Sequence, residues 1–305
     1  MPLGGESSDV LKAMNWKAYE KPNDLREALR LLEQACGMGR VIAGGTDLMP
    51  QVRRGECHAD LLVDITGIAA LKGIKEEDGW IFIGAGVTHA EVAGHPVLQR
   101  EAKALAEGCR KVGSPQIRNM GTLVGNVVTA QPAADGAIPL MVLEAGLQVT
   151  SNQGERWVPL EDAYRGIGYS AIDATREIVT RVRFQRLGER AGTGFFRMAR
   201  RKALALPVVN GAVSITLSPS GKRVEKARIA LGPVAEKPFR SREAEARLES
   251  GDLSHEILLA VSRIASEEAN PRTSDRGGSA YRKEMVRVQL FRLLEKVVKE
   301  AREKG

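Results

Sequence analysis

The chain has 305 residues, 43% of them hydrophobic and 4% aromatic, and carries 45 Lys and Arg against 38 Asp and Glu for a net charge of +7. That length leaves room for two or three modules with sizeable cores. The positive balance favours an acidic partner surface or a phosphate-bearing ligand, although a generic basic surface accounts for most of it, and so few aromatic side chains leave little stacking surface for nucleic acid.

Taken in order, the N-terminus from Met1 to Asp9 lacks the basic start and apolar centre of a signal peptide. No apolar run approaches membrane-spanning length, so a cytoplasmic protein is expected. Pro22-Asn23-Asp24 opens a helix with Leu25, Ala28, Leu29 and Leu32 on one face, Asn23 as its expected cap and Gly37 as its stop. Arg40 to Ile42 is a predicted strand, followed by the Gly44-Gly45 break, a short helix from Met49 to Arg54 and a buried strand over Leu61 to Ile65. These make a small β-α-β lobe. Short strands near Leu71 to Ile74 and Trp80 to Ile83 flank Asp78-Gly79, a hairpin signal. Thr88-His89-Ala90-Glu91 fits a capping box, and one longer helix is predicted from Val97 to Arg110 with Leu98, Ala102, Leu105 and Cys109 inward.

A helix near Gly136 to Glu144, strands over Leu147 to Thr150 and Arg156 to Pro159, and a strand from Glu177 to Phe184 with one wet face complete a second lobe. Leu187 to Gly194 is polar and glycine-rich, and a domain boundary is expected there. Beyond it, strands near Phe195 to Ala199, Val208 to Leu217 and Val224 to Leu231 precede helices at about Ser241 to Glu249, Ser254 to Glu268 and Ala280 to Ala301. Sheet first and helices after marks an α+β domain. The expected organisation is a two-lobed domain over 1–188, with lobes at about 12–68 and 69–188, followed by a C-terminal domain over 189–305.

Several chemistries have no residues to carry them. There is no complete G-x-G-x-x-G or phosphate-loop motif, and no nucleophile elbow. His58, His89, His95 and His255 are scattered without metal-ligand spacing and read as surface or capping residues. Cys36, Cys57 and Cys109 contain no Cys-x-x-Cys pair and read as idle or buried thiols in a reducing compartment. An iron–sulfur cluster needs four ligands of that kind, so any such centre belongs on another polypeptide. No catalytic residue and no metal ligand is expected on this chain.

Two segments carry a different chemistry. Gly113 to Asn126 gathers glycines, a hydroxyl, an amide and an arginine in a loop-like run, where glycine freedom and successive N–H groups can build an anion nest. Thr122 and Asn126 would add side-chain donors, and a plain surface loop explains the run equally well. Val41 to Leu48 reads as strand, tight turn and short helix, with free N–H groups at the helix start; an ordinary turn capped by Thr46 or Asp47 is the simpler explanation of that segment alone. Taken together, the two suit one extended diphosphate ligand better than either does alone.

The Ala43-Gly44-Gly45-Thr46-Asp47-Leu48 segment, the run from Gln116 to Asn126 and Ala134-Asp135 together resemble the FAD-binding subunit of the molybdenum hydroxylases. That family includes the medium chain of aerobic carbon monoxide dehydrogenase and the flavin part of xanthine dehydrogenase. The likeness runs from about Asn15 to about Ala301. It implies a two-lobed, PCMH-type (vanillyl-alcohol-oxidase-like) FAD-binding domain holding FAD non-covalently. Ile42, Ala43, Gly44, Gly45, Thr46, Asp47 and Leu48 would cradle the diphosphate from one side, and Thr122, Leu123, Val124, Gly125 and Asn126 from the other. Asp135 would accept a hydrogen bond from the adenosine side, with a helix N-cap as its alternative role. The backbone of Val179 would border the flavin. Arg197 falls where the family often carries a lysine near the flavin, a solvated basic strand being the other reading.

The resemblance further implies a [2Fe-2S] small subunit and a molybdopterin large subunit as partners, assembled as a dimer of heterotrimers. Electrons would pass from the iron–sulfur subunit through FAD to NAD or another acceptor. A stand-alone flavin oxidoreductase of the same fold, or a flavin-less scaffold subunit, is the alternative. One departure bears on this: the family usually has two glycines before Asn126, where this chain has Val124-Gly125. A β-branched residue resists positive φ. Val124 is therefore expected at ordinary dihedrals with only its N–H serving the phosphate; otherwise flavin binding is weakened or lost.

Overall fold

A computed structural model describes residues 16–201 and 203–304. Helix α1 (Leu25–Gln34) buries Ala28, Leu29 and Leu32, the spacing that the sequence presents. Its cap is Asp24, which accepts from the Glu27 N–H, rather than Asn23; the Asn23 N–H instead donates to the Glu27 carboxylate. The helix packs on a parallel sheet of β1 (Ala18–Glu20), β3 (Leu61–Asp64) and β2 (Gly39–Ile42), ordered β1-β3-β2, with α2 (Leu48–Arg53) after β2. Strand β1 was not foreseen. All three of its residues are exposed, so it has no apolar alternation to reveal it.

The second sheet is antiparallel, ordered β4-β5-β10-β6-β7, and comprises β4 (Ile74–Glu77), β5 (Trp80–Gly84), β6 (Gly146–Ser151), β7 (Gly154–Pro159) and β10 (Ile178–Gln185). Asp78 at φ 49° and Gly79 at φ 77° turn the β4–β5 hairpin, the left-handed pair that a two-residue hairpin needs. Strand β4 starts at Ile74 rather than Leu71, because Leu71 closes a 3₁₀ turn, is buried, and offers its carbonyl to the Gly86 N–H. A separate small hairpin joins β8 (Tyr164–Gly166) to β9 (Tyr169–Ser170).

Between β5 and β6 in the chain come α3 (His89–Gly94), α4 (Pro96–Glu101), α5 (Lys103–Lys111), α6 (Pro115–Met120), α7 (Leu123–Val128) and α8 (Ala137–Val142). The expected Thr88–Glu91 capping box caps α3 with both of its hydrogen bonds. The single helix expected over Val97 to Arg110 is two. Ala102, at φ −134° and ψ 53°, interrupts it, and the Ala104 N–H is released to Thr193 Oγ1 at 3.2 Å. Leu98, Ala102, Leu105 and Cys109 are nonetheless all buried, as their spacing predicts.

The third sheet is antiparallel, ordered β11-β12-β13-β14, from β11 (Ala191–Met198), β12 (Val209–Leu217), β13 (Val224–Gly232) and β14 (Phe239–Arg240). Helices α9 (Arg242–Ser250), α10 (His255–Glu268) and α11 (Ser279–Glu303) follow, so the α+β arrangement expected of this region is borne out. The glycine-rich stretch at 187–194 is only partly a connector, because Gly192 and Gly194 lie inside β11 where α11 crosses it. A Cβ on Gly192 would stand 2.9 Å from the Val297 carbonyl, and one on Gly194 2.7 Å from the Leu293 and Val297 side chains. These glycines mark close packing rather than a flexible link. No helix among the described residues is long and apolar enough to cross a membrane.

The main core runs beneath the first two sheets and continues into the third through Phe195, Ala212 and Ala230. An ion cluster reinforces that seam: Glu144, at φ 51°, meets Lys226 at 2.5 Å, Arg228 at 2.7 Å and Arg240 at 3.0 Å. Its carboxyl is drawn from 4.5 to about 2, burial opposing the shift while hydrogen bonds from Lys226, Arg228 and Arg240 prevail. A depressed folded-state value means stabilisation that is complete above the unfolded value and lost as pH falls toward the folded one. Glu144→Gln should therefore cost about 1 kcal/mol at neutral pH, the scale of a partly solvated charge network. In denaturant titrations the gap between wild type and variant should hold above pH 5 and close as pH falls from 4.5 toward 2. A gap independent of pH would refute the assignment.

Candidate cofactor site

The site begins with a contact that only glycine permits. At the end of β2 the chain turns at Gly44, where a Cβ would lie 2.0 Å from the Met120 carbonyl oxygen and 2.8 Å from Gly121 Cα. Real Cβ atoms do not approach backbone so closely, so Gly44 lets the 43–48 turn lie directly on the α6–α7 corner. Gly45 follows at φ +65°. The N–H groups of Gly44, Gly45, Thr46 and Asp47 find no acceptor among the described residues. Backbone donors seldom go unpaired away from water, so this turn presents a row of donors suited to an anion.

The second segment differs from the expected nest. Instead of an open glycine loop it forms α6 and α7, capped by Ser114, which accepts from the Ile117 N–H at 3.3 Å, and by Thr122, which accepts from the Gly125 N–H at 3.0 Å. Only Gly113, at φ +47°, takes a left-handed conformation there. The Thr122 oxygen is thus spent as a cap acceptor. Val124 keeps a negative φ inside α7 with its side chain 5% exposed in the core, which resolves its dihedrals as expected.

Both segments border one cavity of about 400 Å³, within the usual range for small-ligand sites. Of the residues expected from sequence, Ile42 to Leu48, Thr122, Gly125, Asn126, Asp135 and Arg197 line it. Leu123, Val124 and Val179 are not among its lining. The first two side chains are buried in the core, and Val179 stands in β10 opposite Val149, 5% exposed. Asn126 Oδ1 is buried without a hydrogen-bond partner. A buried acceptor in that state is costly, and a donor brought by a ligand would relieve it.

Asp135 does not cap α8, which starts at Ala137 with Gly136 at the N-cap position and no side-chain cap. Its Oδ2 accepts from Arg197 Nε at 2.8 Å and its Oδ1 from Asn210 Nδ2 at 2.8 Å. Both members of the ion pair are 7% exposed at the side chain. Burial pushes the Asp135 carboxyl above the usual range, against the pull of Arg197 and Asn210. Arg197 is accordingly no solvated strand residue. Its other contact is the Ala205 carbonyl, in a strap that also donates the Leu204 N–H to the Gly113 carbonyl and supplies Leu204, Ala205 and Leu206 to the cavity wall.

Two wall features escaped the sequence. His89 was expected at the surface or in a capping role, and its backbone does follow the cap. Its ring, however, is buried and lines the cavity, with Nδ1 3.4 Å from Cys109 Sγ. Burial, aided by Arg118, lowers its pKa to about 4, while burial raises the Cys109 thiol, so both are neutral. Nothing in the histidine spacing pointed inward. Asn210 had a usable signal, an amide within the apolar run Val208-Val209-Asn210-Gly211. No group of three or more His, Cys, Asp or Glu among the described residues could hold a metal ion.

An extended turn of unpaired donors facing a second segment across a cleft, with a partnerless buried amide oxygen, defines a two-lobed dinucleotide-holding protein and fits a diphosphate-bridged cofactor. The comparisons with known proteins give the family. Residues 12–184 match the family described as the FAD binding domain in molybdopterin dehydrogenase, and residues 194–297 match the CO dehydrogenase flavoprotein C-terminal domain. The chain belongs to this family of FAD-binding molybdopterin dehydrogenase subunits. It is 31% identical over 268 residues to the nicotinate dehydrogenase FAD-subunit of Eubacterium barkeri, covering 87% of this chain and 90% of that protein. With the carbon monoxide dehydrogenase medium chain of Afipia carboxidovorans it shares 29% identity over 278 residues, covering 91% and 95%. A solved structure of carbon monoxide dehydrogenase from Hydrogenophaga pseudoflava superposes with a TM-score of 0.88 at 26% identity, covering 94% of this chain and 98% of that one.

The Arg197–Asp135 pair yields a stability prediction. Arg197→Ala strands a buried carboxylate and should cost about 3–5 kcal/mol, whereas Asp135→Asn with Arg197→Met should recover much of that loss. Equilibrium urea unfolding of the three proteins measures it, and a loss under 1 kcal/mol for Arg197→Ala would contradict the buried geometry.

Proposed function

We propose that this chain is the FAD-holding, electron-transferring subunit of a molybdenum hydroxylase complex, standing between a [2Fe-2S] subunit and NAD or another acceptor. FAD, when bound, supplies the exchange between one-electron and two-electron carriers. The observation that carries the reading is the cavity between 42–48 and 122–126, with unpaired N–H groups on Gly44 to Asp47 and a partnerless Asn126 Oδ1.

The residues divide the work. The turn at Gly44 to Asp47 offers main-chain donors to the diphosphate. The Val124 N–H, which has no acceptor among the described residues, would add another donor from the facing segment only where the ligand reaches past the cavity lining. Asn126 fixes a polar group of the ligand. Asp135 and Arg197 hold one part of the wall together as a neutralised pair. Val179 would border the flavin through its backbone once the cofactor extends past the cavity. The two-lobed domain over 1–188 does the binding, and 189–305 supplies the strap and the remaining wall.

The partners in this reading are a [2Fe-2S] small subunit and a molybdopterin large subunit, joined as a dimer of heterotrimers in the cytoplasm. Support comes from the FAD subunit and medium chains among the relatives and from the three free thiols, Cys36, Cys57 and Cys109, which suit a reducing compartment.

Titration of the purified chain with FAD, followed by flavin fluorescence, tests the site. Wild type should bind tightly and non-covalently. Asn126→Ala should weaken binding about tenfold, since 1.4 kcal/mol is one decade and a charge-free hydrogen bond contributes about that much. Gly44→Ala should abolish binding by parting the two segments, and its melting curve separates that effect from misfolding. A wild-type chain that stays colourless after incubation with FAD would overturn the reading in favour of a scaffold.

A further inference from the structure

The outer face of the second sheet concentrates aromatic and guanidinium groups in a chain with few aromatics. Strand β10 sends Val182 and Phe184 into the core and turns Arg181 and Arg183 outward, where both are half-buried. The register sets Arg183 beside Phe82 on β5 and Gly146 on β6, and Arg181 beside Gly84 and Gln148. Gly146 leaves room for the Trp157 indole, which comes within 3.5 Å of the place its Cβ would take. The Arg183 guanidinium consequently sits 3.7 Å from the Trp157 ring centroid and 4.4 Å from that of Trp80. Arg181 stands 4.6 Å from the Phe82 centroid and 5.7 Å from that of Trp157.

Stacking of this kind occupies the faces of a guanidinium and fixes its plane, while the N–H donors lie along its edge. Arg181 gives its Nε to Gln148 Oε1 at 2.6 Å. Glu155, the neighbouring carboxylate on β7, is bound by Gln148 at 2.7 Å and by Thr150 at 3.4 Å. The Arg183 guanidinium makes no hydrogen bond or ion pair with any described residue. It is a permanent cation, held rigid by two rings, with its donor edge free. That geometry matches a carboxylate approaching in the guanidinium plane, the bidentate form of this pair. Tryptophan and arginine are also the residues that most often anchor protein interfaces.

We propose that Arg183, clamped between Trp80 and Trp157, anchors a docking face for a partner subunit of the complex and receives an Asp or Glu carboxylate of that subunit edge-on. The inference rests on the subunit role proposed above. Charge complementarity selects an acidic partner surface, and no carboxylate among the described residues pairs with Arg183.

The test uses the assembled complex, recovered through a tag on this chain from cells producing all its subunits. Arg183→Glu should cut recovery of the iron–sulfur and molybdenum subunits at least tenfold while leaving the melting temperature and flavin content of the chain unchanged, because Val182 and Phe184 keep the core intact. Arg183→Lys retains charge but not the fork, so it should retain part of the recovery. Zero-length carbodiimide coupling of that complex should join residue 183 to an Asp or Glu of a partner subunit. Full recovery of partners with Arg183→Glu would overturn the docking face and leave the subunit role standing. Coupling of position 183 to a second copy of this chain would overturn it too. A wild-type chain that brings down neither subunit would overturn both proposals.

Discussion

The close approach of Gly44 to the Met120–Gly121 backbone is the constraint on which the cofactor site depends. A parallel lobe and an antiparallel lobe meet there without a side chain between them, and their main chains touch. Any larger residue at 44 would hold the turn away from the α6–α7 corner and open the cleft. The same contact explains why the donors of Gly44 to Asp47 remain unpaired, because a turn pressed against a neighbouring corner cannot curl back to satisfy its own N–H groups. Binding capacity is thus bought with local instability, and a ligand that supplies acceptors stabilises the fold it enters.

The third sheet is tied to this cleft by polar bonds as well as by packing. Asp135, just before α8, is held by Arg197 of β11 and Asn210 of β12, and Glu144, just after α8, is held by cations of β13 and β14. One short apolar helix therefore carries an anion at each end, and each anion grips the same sheet. The Asp135 end is dry and the Glu144 end partly wet. The dry pair confers little net stability against an apolar substitute, but it fixes the direction in which β11 presents the strap that closes the cavity.

Much of this architecture is legible because burial writes a period into the chain. Ala28, Leu29 and Leu32 recur at helical spacing, β10 alternates inward and outward, and the helices after β14 fall within a residue or two of expectation. What escaped reading has physical reasons. Strand β1 is exposed throughout and held by its main-chain ladder and one hydrogen bond from the Tyr19 hydroxyl to Asp64. The interruption at Ala102 follows from a partner, Thr193, that is 89 residues away from Ala104 in the chain. Gly192 and Gly194 resemble a linker until α11 is seen lying across them, since glycine demanded by a loop and glycine demanded by a close helix look alike in one dimension. The same ambiguity turned two capped helices into an expected glycine nest. In the site, the first segment was readable from its Gly-Gly break. The inward turn of His89 and the pairing of Asp135 with Arg197 depend on tertiary neighbours that no local pattern encodes.

Charge in the cavity is arranged differently from charge in the whole chain. A net +7 suggests a cleft lined with lysine and arginine, yet among the described lining residues the one permanent cation is Arg197, and it is neutralised by Asp135. His89 is neutral, and Asp47 adds a carboxylate at the rim. Attraction for a diphosphate must therefore come from oriented N–H dipoles rather than free side-chain charge. Dipoles act at short range and reward an exact fit, whereas side-chain cations act over a Debye length and fade with salt. A site built this way would select by shape, and salt would weaken its hold on a ligand less than it weakens a cationic cleft. The surplus arginines are left to the outer surface, where Arg183 stands against two indoles without an acidic partner among the described residues.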